Sequence, residues 1–287
     1  MQINKRSLSD KLKEYKKSPM SALLAILVYL AGIITFAVLI YLVVYILVRG
    51  IPNLTLDLFS WTYTSDNVSM LPSIINTLIM TAISLLISVP LGVFAAIFLV
   101  EYSAKGSRLV KVIRITAETL SGIPSIVYGL FGMLFFVTSL KWGMSILAGA
   151  FTLVIMVLPL IMRTAEEALK SVPDSYREAS FGLGAGKLRT VFRIVLPSAI
   201  PGILAGVILA TGRIVGETAA LIYTAGTIAE IPDNILSSGR TLAVHMYVLS
   251  SEGLYVNQAY ATAVVLLLLV LVINWLSGFV AKKLTKA

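Results

Sequence analysis

The chain has no cysteine in 287 residues, a single histidine, and only 13% charged residues. Without thiols there is neither a disulfide framework nor a thiolate metal or redox site, and redox reasoning leaves the compartment undecided. The lone histidine, His245, has no ligand-type partners at metal spacing around it, so packing or an interface role is expected ahead of ligation. Charge is scarce against the usual share of about 25%. Apolar residues instead make up 58% of the chain, and the mean hydropathy is +0.93. Those values describe an all-α polytopic membrane protein forming one membrane domain. A net charge of +9 would point a soluble protein toward nucleic acid, but its placement along this chain excludes that reading.

Crossing about 30 Å of hydrocarbon takes about 20 apolar residues. Six segments are long enough: Ala22 to Val48, Ser73 to Val100, Thr119 to Leu140, Met144 to Met162, Ser198 to Ala225 and Tyr260 to Val280. With the N-terminus inside, 19 of the 23 Lys and Arg residues fall on one side of the membrane. The other side has Arg49, Lys141 and Arg240, and Arg213 lies within a span. The bias places both termini in the cytoplasm. The expected organisation is a cytoplasmic segment over 1–21 and a transmembrane domain over 22–287 with its core at 71–281. The basic start leads into a full-length span, so no cleaved signal peptide is expected. Pro90, Pro124, Pro159 and Pro201 within or beside spans require neighbouring helices to satisfy the freed carbonyls. Two glycine steps, Gly202 with Gly206 and Gly212 with Gly216, mark candidate faces for close helix contact.

The polar stretch 163–197 cannot span, and it carries the most informative pattern. Asp174 follows Pro173 and is placed to cap a short helix through Phe181, with Gly182 and Gly184 as stop signals. So short a helix needs a partner surface. Small Ala179 and Ser180 would permit close approach, with Tyr176 and Phe181 filling a groove. The plainer reading is a loop lying on lipid headgroups through Arg177, Lys187, Arg189 and Arg193. Glu178-Ala179-Ser180, three residues, Gly184, nine residues, Ile194, one residue and Leu196-Pro197 decide between them. This spacing resembles the EAA signature of inner-membrane permease subunits of ABC importers, in which the loop docks on a separate ATPase. The resemblance implies that ATPase contact runs through Asp174, Tyr176, Glu178, Ala179, Ser180, Phe181 and Gly184. Ser180 departs from the third letter.

A phosphate-loop lookalike, Gly182 to Leu188, fails as one. Phe181 stands in place of the first glycine, and Leu188 replaces the hydroxyl residue that would hold magnesium. The chain is therefore not expected to be an enzyme or to bind a cofactor, ATP hydrolysis residing in a partner.

In the fifth span, Arg213 is expected near mid-membrane and Glu217 one turn further out, four residues apart on one helical face. An internally neutralised ion pair is one reading. The other is a substrate pathway, since intramembrane charges are functional by default and the arginine fork suits a tetrahedral oxyanion. Gly212 to Leu221, followed by Tyr223-Thr224-Ala225-Gly226, resembles the R-x-x-G-E-T-A-P-L stretch and following T-A-G of PstA-type permease subunits of phosphate importers. Ser121 to Gly132 resembles the same family's I-P-S segment, and the likeness runs from about Leu71 to Tyr260. Ala220 replaces the usual proline. The sister PstC type shares the I-P-S segment, so the choice between the two rests on the fifth span.

The resemblance implies a MetI-like permease in the plasma (inner) membrane of a prokaryote, surrounded by lipid. It also implies a PstC-type second permease forming a heterodimer, a PstB-type ATPase dimer, an extracytoplasmic phosphate-binding protein, and phosphate moved by alternating access. A permease for another oxyanion (phosphonate, molybdate or sulfate) and a secondary carrier with an Arg213 to Glu217 proton relay stay open. Glu118 is expected to be an interfacial charge, and Ile235 to Leu249 an amphipathic surface or re-entrant helix.

Overall fold

The computed structural model describes residues 19–104 and 106–286. The basic segment expected over 1–21 therefore lies, up to residue 18, outside the described residues. Among those described, all regular structure is helical. The chain divides into two units, 1–49 and 50–287. The first holds nearly all of α1 (Pro19–Gly50), a helix apolar around its whole circumference, as a lipid-facing span is.

The second unit contains α2 (Leu71–Ile97, continued by a π-helical turn Phe98–Tyr102), α3 (Arg108–Ser121), α4 (Ser125–Gly132, continued by π turns to Ser139) and α5 (Ile146–Lys170). There follow α6 (Asp174–Gly182), α7 (Lys187–Thr190), α8 (Leu196–Val215), α9 (Ala219–Thr224), α10 (Leu242–Glu252) and α11 (Val256–Lys286). A π-helical stretch, Val191–Val195, makes α7 and α8 one continuous span.

Helix α5 is the centre. Of its apolar stretch 67% is buried, against 33% for the α2 and α8 spans and 22% for α11. Ser145 starts it, its Oγ accepting from Ala148 N at 3.2 Å. In lipid, close packing and not the expulsion of water joins helices. The glycines show where backbones meet: a Cβ on Gly92 of α2 would meet the Ile161 side chain at 2.8 Å, and one on Gly202 of α8 would meet Ala168 Cβ at 2.6 Å. Gly206 rests against Thr164 of α5. The first glycine step of the fifth span is thus a helix contact; at the second, among the described residues, a Cβ on Gly212 would meet nothing within 4 Å and one on Gly216 only Gly212 O at 3.5 Å. Pro90, Pro159 and Pro201 sit inside α2, α5 and α8.

Three expectations change. The third span is a broken pair, α3 and α4 meeting at 102°. Pro124 brings no donor and biases Ile123 away from the helical region, so the helix stops at Ser121 with Gly122 as its cap. The fifth span ends at Val215 and does not continue to Ala225. The helix expected from Ile235 begins only at Leu242, capped by the Thr241 hydroxyl on Val244 N. Residues before it are held by backbone bonds, Ile146 N to Ser237 O and Arg240 N to Ile228 O. His245 is fully buried and edge-on to Tyr63. Glu118 is exposed on α3.

Candidate functional site

Two places gather the residues singled out by the sequence. The first is the loop end of the molecule, where α6 forms over Asp174–Gly182 as the motif predicts. Its cap differs, because Pro173 occupies that position and no side chain caps the helix. Asp174 instead accepts from Arg177 Nη1 at 3.2 Å. Glu178 and Ala179 are exposed, and Tyr176 and Phe181 are 51% and 48% exposed. Beside them Leu183 and Leu188 are 89% and 68% exposed, so four large apolar side chains stand open on a polar loop. Exposed apolar side chains of this kind are what a docking surface would present. Ser180 turns the other way: it is buried, its Oγ 2.8 Å from Thr190 Oγ1, and it fixes α6 to α7. Gly184 closes the loop at φ +79°, the left-handed region that favours glycine, with open space around it.

The second place is the pair of breaks inside the membrane. Helix α4 packs along α9. A Cβ on Gly129 would meet Ala220 Cα at 2.8 Å, and Gly132 rests against Thr152 and Thr224. The Tyr128 hydroxyl donates to Leu120 O at 2.7 Å and so stitches the 102° bend from within. Arg213, half-buried in the last turn of α8, lies within electrostatic range of the Tyr128 phenol.

The geometry corrects the expected pairing of Arg213 with Glu217 on one helical face. Gly216 caps α8, and Glu217 falls in the break before α9. There its buried carboxylate accepts from Ala220 N at 3.1 Å, serving the start of α9. No carboxylate among the described residues lies within ion-pair distance of Arg213. Residue 220 can donate this bond because it is alanine; a proline there has no N–H. Broken helices beside an unneutralised cation make a place where irregular backbone and a guanidinium can meet an anion.

Two residues with structural weight here had no role in the sequence reading. Tyr128 lay in the quoted Ser121 to Gly132 segment. Glu101, which receives Arg177, lies 76 residues before it, and no spacing rule links the two.

A multi-span helical bundle with a polar interspan helix and broken central helices is the architecture of a transport permease. A family model described as binding-protein-dependent transport system inner membrane component matches residues 88–286, and the chain belongs to that family. It is an inner-membrane, multi-pass permease component. Among its relatives is the probable ABC transporter permease protein YqgI of Bacillus subtilis, 37% identical over 279 residues, covering 89% of this chain and 94% of that one. The phosphate transport system permease protein PstA of Haemophilus influenzae is 31% identical over 270 residues, covering 93% and 95%. The fold is similar to that of a bacterial alginate ABC transporter solved with an alginate pentasaccharide-bound periplasmic protein (TM-score 0.69, 17% identity, 95% of this chain and 98% of that chain). The MetNI methionine ABC transporter is similar at TM-score 0.57 and 20% identity, over 75% and 94%. At these identities the structures speak for the fold, which is that of an ABC importer permease. Membership of this family does not favour the secondary-carrier alternative.

Proposed function

We propose that this chain is the membrane-spanning permease subunit of an ATP-driven phosphate importer, of the PstA type. The observation that carries the cargo is Arg213: a cation held at the junction of α8 and α9, beside the α3 to α4 bend, without a neutralising carboxylate among the described residues. Such a group is costly in a membrane protein unless it serves an anion. Phosphate offers acceptor oxygens matched to the guanidinium fork. Relatives named for phosphate transport, covering up to 93% of the chain, support that cargo over phosphonate, molybdate or sulfate.

The mechanism is alternating access, and its partners are a PstC-type permease, a PstB-type ATPase dimer and an extracytoplasmic phosphate-binding protein. ATP closes the ATPase dimer, and the exposed Tyr176, Phe181, Leu183 and Leu188 around α6 receive that movement. The pore opens outward, the binding protein releases phosphate, and Arg213 holds it during passage. Hydrolysis returns the inward-facing state. This chain hydrolyses nothing; it supplies the pathway and the coupling surface.

The test is radiolabelled phosphate uptake by the assembled transporter, with sulfate and molybdate as competitors. Uptake driven by ATP and resistant to both competitors is expected. ATP-driven uptake of another oxyanion in preference would overturn the cargo assignment.

A further inference from the structure

The α6 surface can transmit force only if something beyond its own nine residues holds it to the spans, because a helix this short does not keep its place alone. One anchor is Ser180 on Thr190. The other is Arg177, 14% exposed, whose whole guanidinium is engaged. Nε and Nη2 donate to Glu101 Oε1 at 3.1 and 2.7 Å, and Nη2 also donates to Leu169 O at 3.0 Å. Nη1 donates to Val172 O at 2.7 Å and to Asp174 Oδ1 at 3.2 Å. Leu169 lies in the last turn of α5, where carbonyls lack intrahelical donors. One side chain therefore joins the end of α5, the start of α6 and the end of α2.

Glu101 is 9% exposed and stands in the π-helical turn Phe98–Tyr102, a distortion that often marks functional positions. From it the α2 span runs unbroken back to Leu71. At that far end the helix grips the outer connection: Asn76 Nδ2 donates to Glu230 O at 2.9 Å, and Thr77 Oγ1 accepts from Leu242 N at 2.8 Å. Helix α2 is thus tied at one end to the coupling helix and at the other to the segment that leads into α10.

We propose that Arg177 is a positioning residue for energy coupling, and that the Arg177 to Glu101 clamp makes α2 the lever carrying movement of α6 to the outer connection. The inference rests on the reading of α6 as the ATPase contact. Lysine would be a poor substitute, because a point charge cannot serve four acceptors through a planar fork.

The assembled transporter in proteoliposomes tests it with Glu101→Gln, which removes the charge pair and leaves the bonds of Arg177 to Leu169, Val172 and Asp174. The ATPase is expected to co-purify as in the native complex, while phosphate taken up per ATP hydrolysed falls about tenfold, within the usual range of coupling between sites. Native uptake per ATP in this variant would overturn the clamp. If Glu101→Gln lowers membrane abundance, Arg177→Lys is read by the same ratio with the same two outcomes. Because the chain has no cysteine, Glu101→Cys with Arg177→Cys can also be bridged by a bis-methanethiosulfonate reagent, each thiol displacing a sulfinate to form a disulfide that a reductant later cleaves. Coupling should be low before bridging, recover with the bridge, and fall again on cleavage; no recovery counts against the clamp. Loss of ATPase co-purification from the unaltered chain is a different result, and it would remove the docking reading of α6 itself.

Discussion

At the loop end of the molecule four cations are held by carboxylates, whereas at the break between α8 and α9 Arg213 is left open. Arg177 serves four acceptors, Arg114 and Lys170 share the buried Glu166 at 2.6 and 2.5 Å, and Arg163 pairs with Glu167 at 3.4 Å. Arg213 has no such partner among the described residues, and the carboxylate closest in sequence, Glu217, is turned to a backbone N–H. The contrast separates two uses of the same side chain. On the proposed function, the paired cations would fix the geometry of the coupling surface, and Arg213 would be held ready for an anion that arrives and leaves.

The comparison breaks if Arg213 behaves like a paired surface cation. Arg213→Gln should lower phosphate uptake by about tenfold to a hundredfold at normal membrane abundance, the worth of one or more hydrogen bonds to a charged group. Arg163→Gln, which removes an exposed pair 57% and 66% open to solvent, should leave uptake within about twofold, because such pairs contribute little. Equal losses would show that charge at either place has the same role.

The outer connection supplies an intermediate case. Arg240, 3% exposed, lies over the Tyr63 ring at 4.7 Å, and burial lowers its pKa. Burial, and secondarily the nearby Arg240, lowers the pKa of His245 to about 3. The sign follows from the unfolded value of 6.5. The folded chain keeps the imidazole neutral, so this contribution to stability is complete above pH 6.5 and is lost as pH falls toward 3. By pH 5 the loss should reach about 2 kcal/mol. As the chain has one histidine, the melting temperature in detergent between pH 7 and 5 isolates it. His245→Phe should flatten that dependence; an unchanged slope would assign it to other groups.

At the docking surface the expected effect is smaller and depends on backbone. Gly184 has room for a side chain but stands at φ +79°. Gly184→Val should therefore cost about 1–2 kcal/mol or more and reduce ATPase co-purification severalfold, while Gly184→Asn, which tolerates this region, should lose less. Equal losses from both would mean that bulk and not conformation matters, and hence that a partner packs against this position.

The two places also differ in how far the sequence revealed them. The bounds of α6 follow from a contiguous run that starts after Pro173 and stops at glycine, and local rules suffice for it. The breaks were hidden because hydropathy counts apolar residues without sensing direction. Ser121 to Pro124 and Gly216 to Thr218 are short interruptions in apolar stretches, and a 102° turn leaves the average unchanged. The proline at 124 and the glycine at 216 were visible, but whether such residues kink a span or end it is set by the packing of α4 on α9, which is tertiary. The Arg177 to Glu101 bond was out of reach for the same reason, since it joins segments that only the fold brings together.

Glu217 gives the finest test of the difference between held and open charge. As an acceptor for Ala220 N at 3.1 Å it has a positioning role at the start of α9, and the bond requires an oxygen and not a charge. Glu217→Gln keeps such an oxygen, so uptake should fall by less than about threefold, corresponding to a loss below about 0.7 kcal/mol. Glu217→Ala strands a buried N–H and should lose about tenfold, with a lower melting temperature. Ala220→Pro removes the donor and frees the carboxylate; a fall in uptake would show that it then neutralises Arg213, and unchanged uptake, in keeping with the usual proline of the family, that it does not. The decisive combination is Ala220→Pro with Glu217→Gln: recovery of uptake relative to Ala220→Pro alone would show that the native hydrogen bond keeps Glu217 away from Arg213. A further fall would place the Glu217 charge on the phosphate pathway, where it would act beside Arg213 and not merely near it.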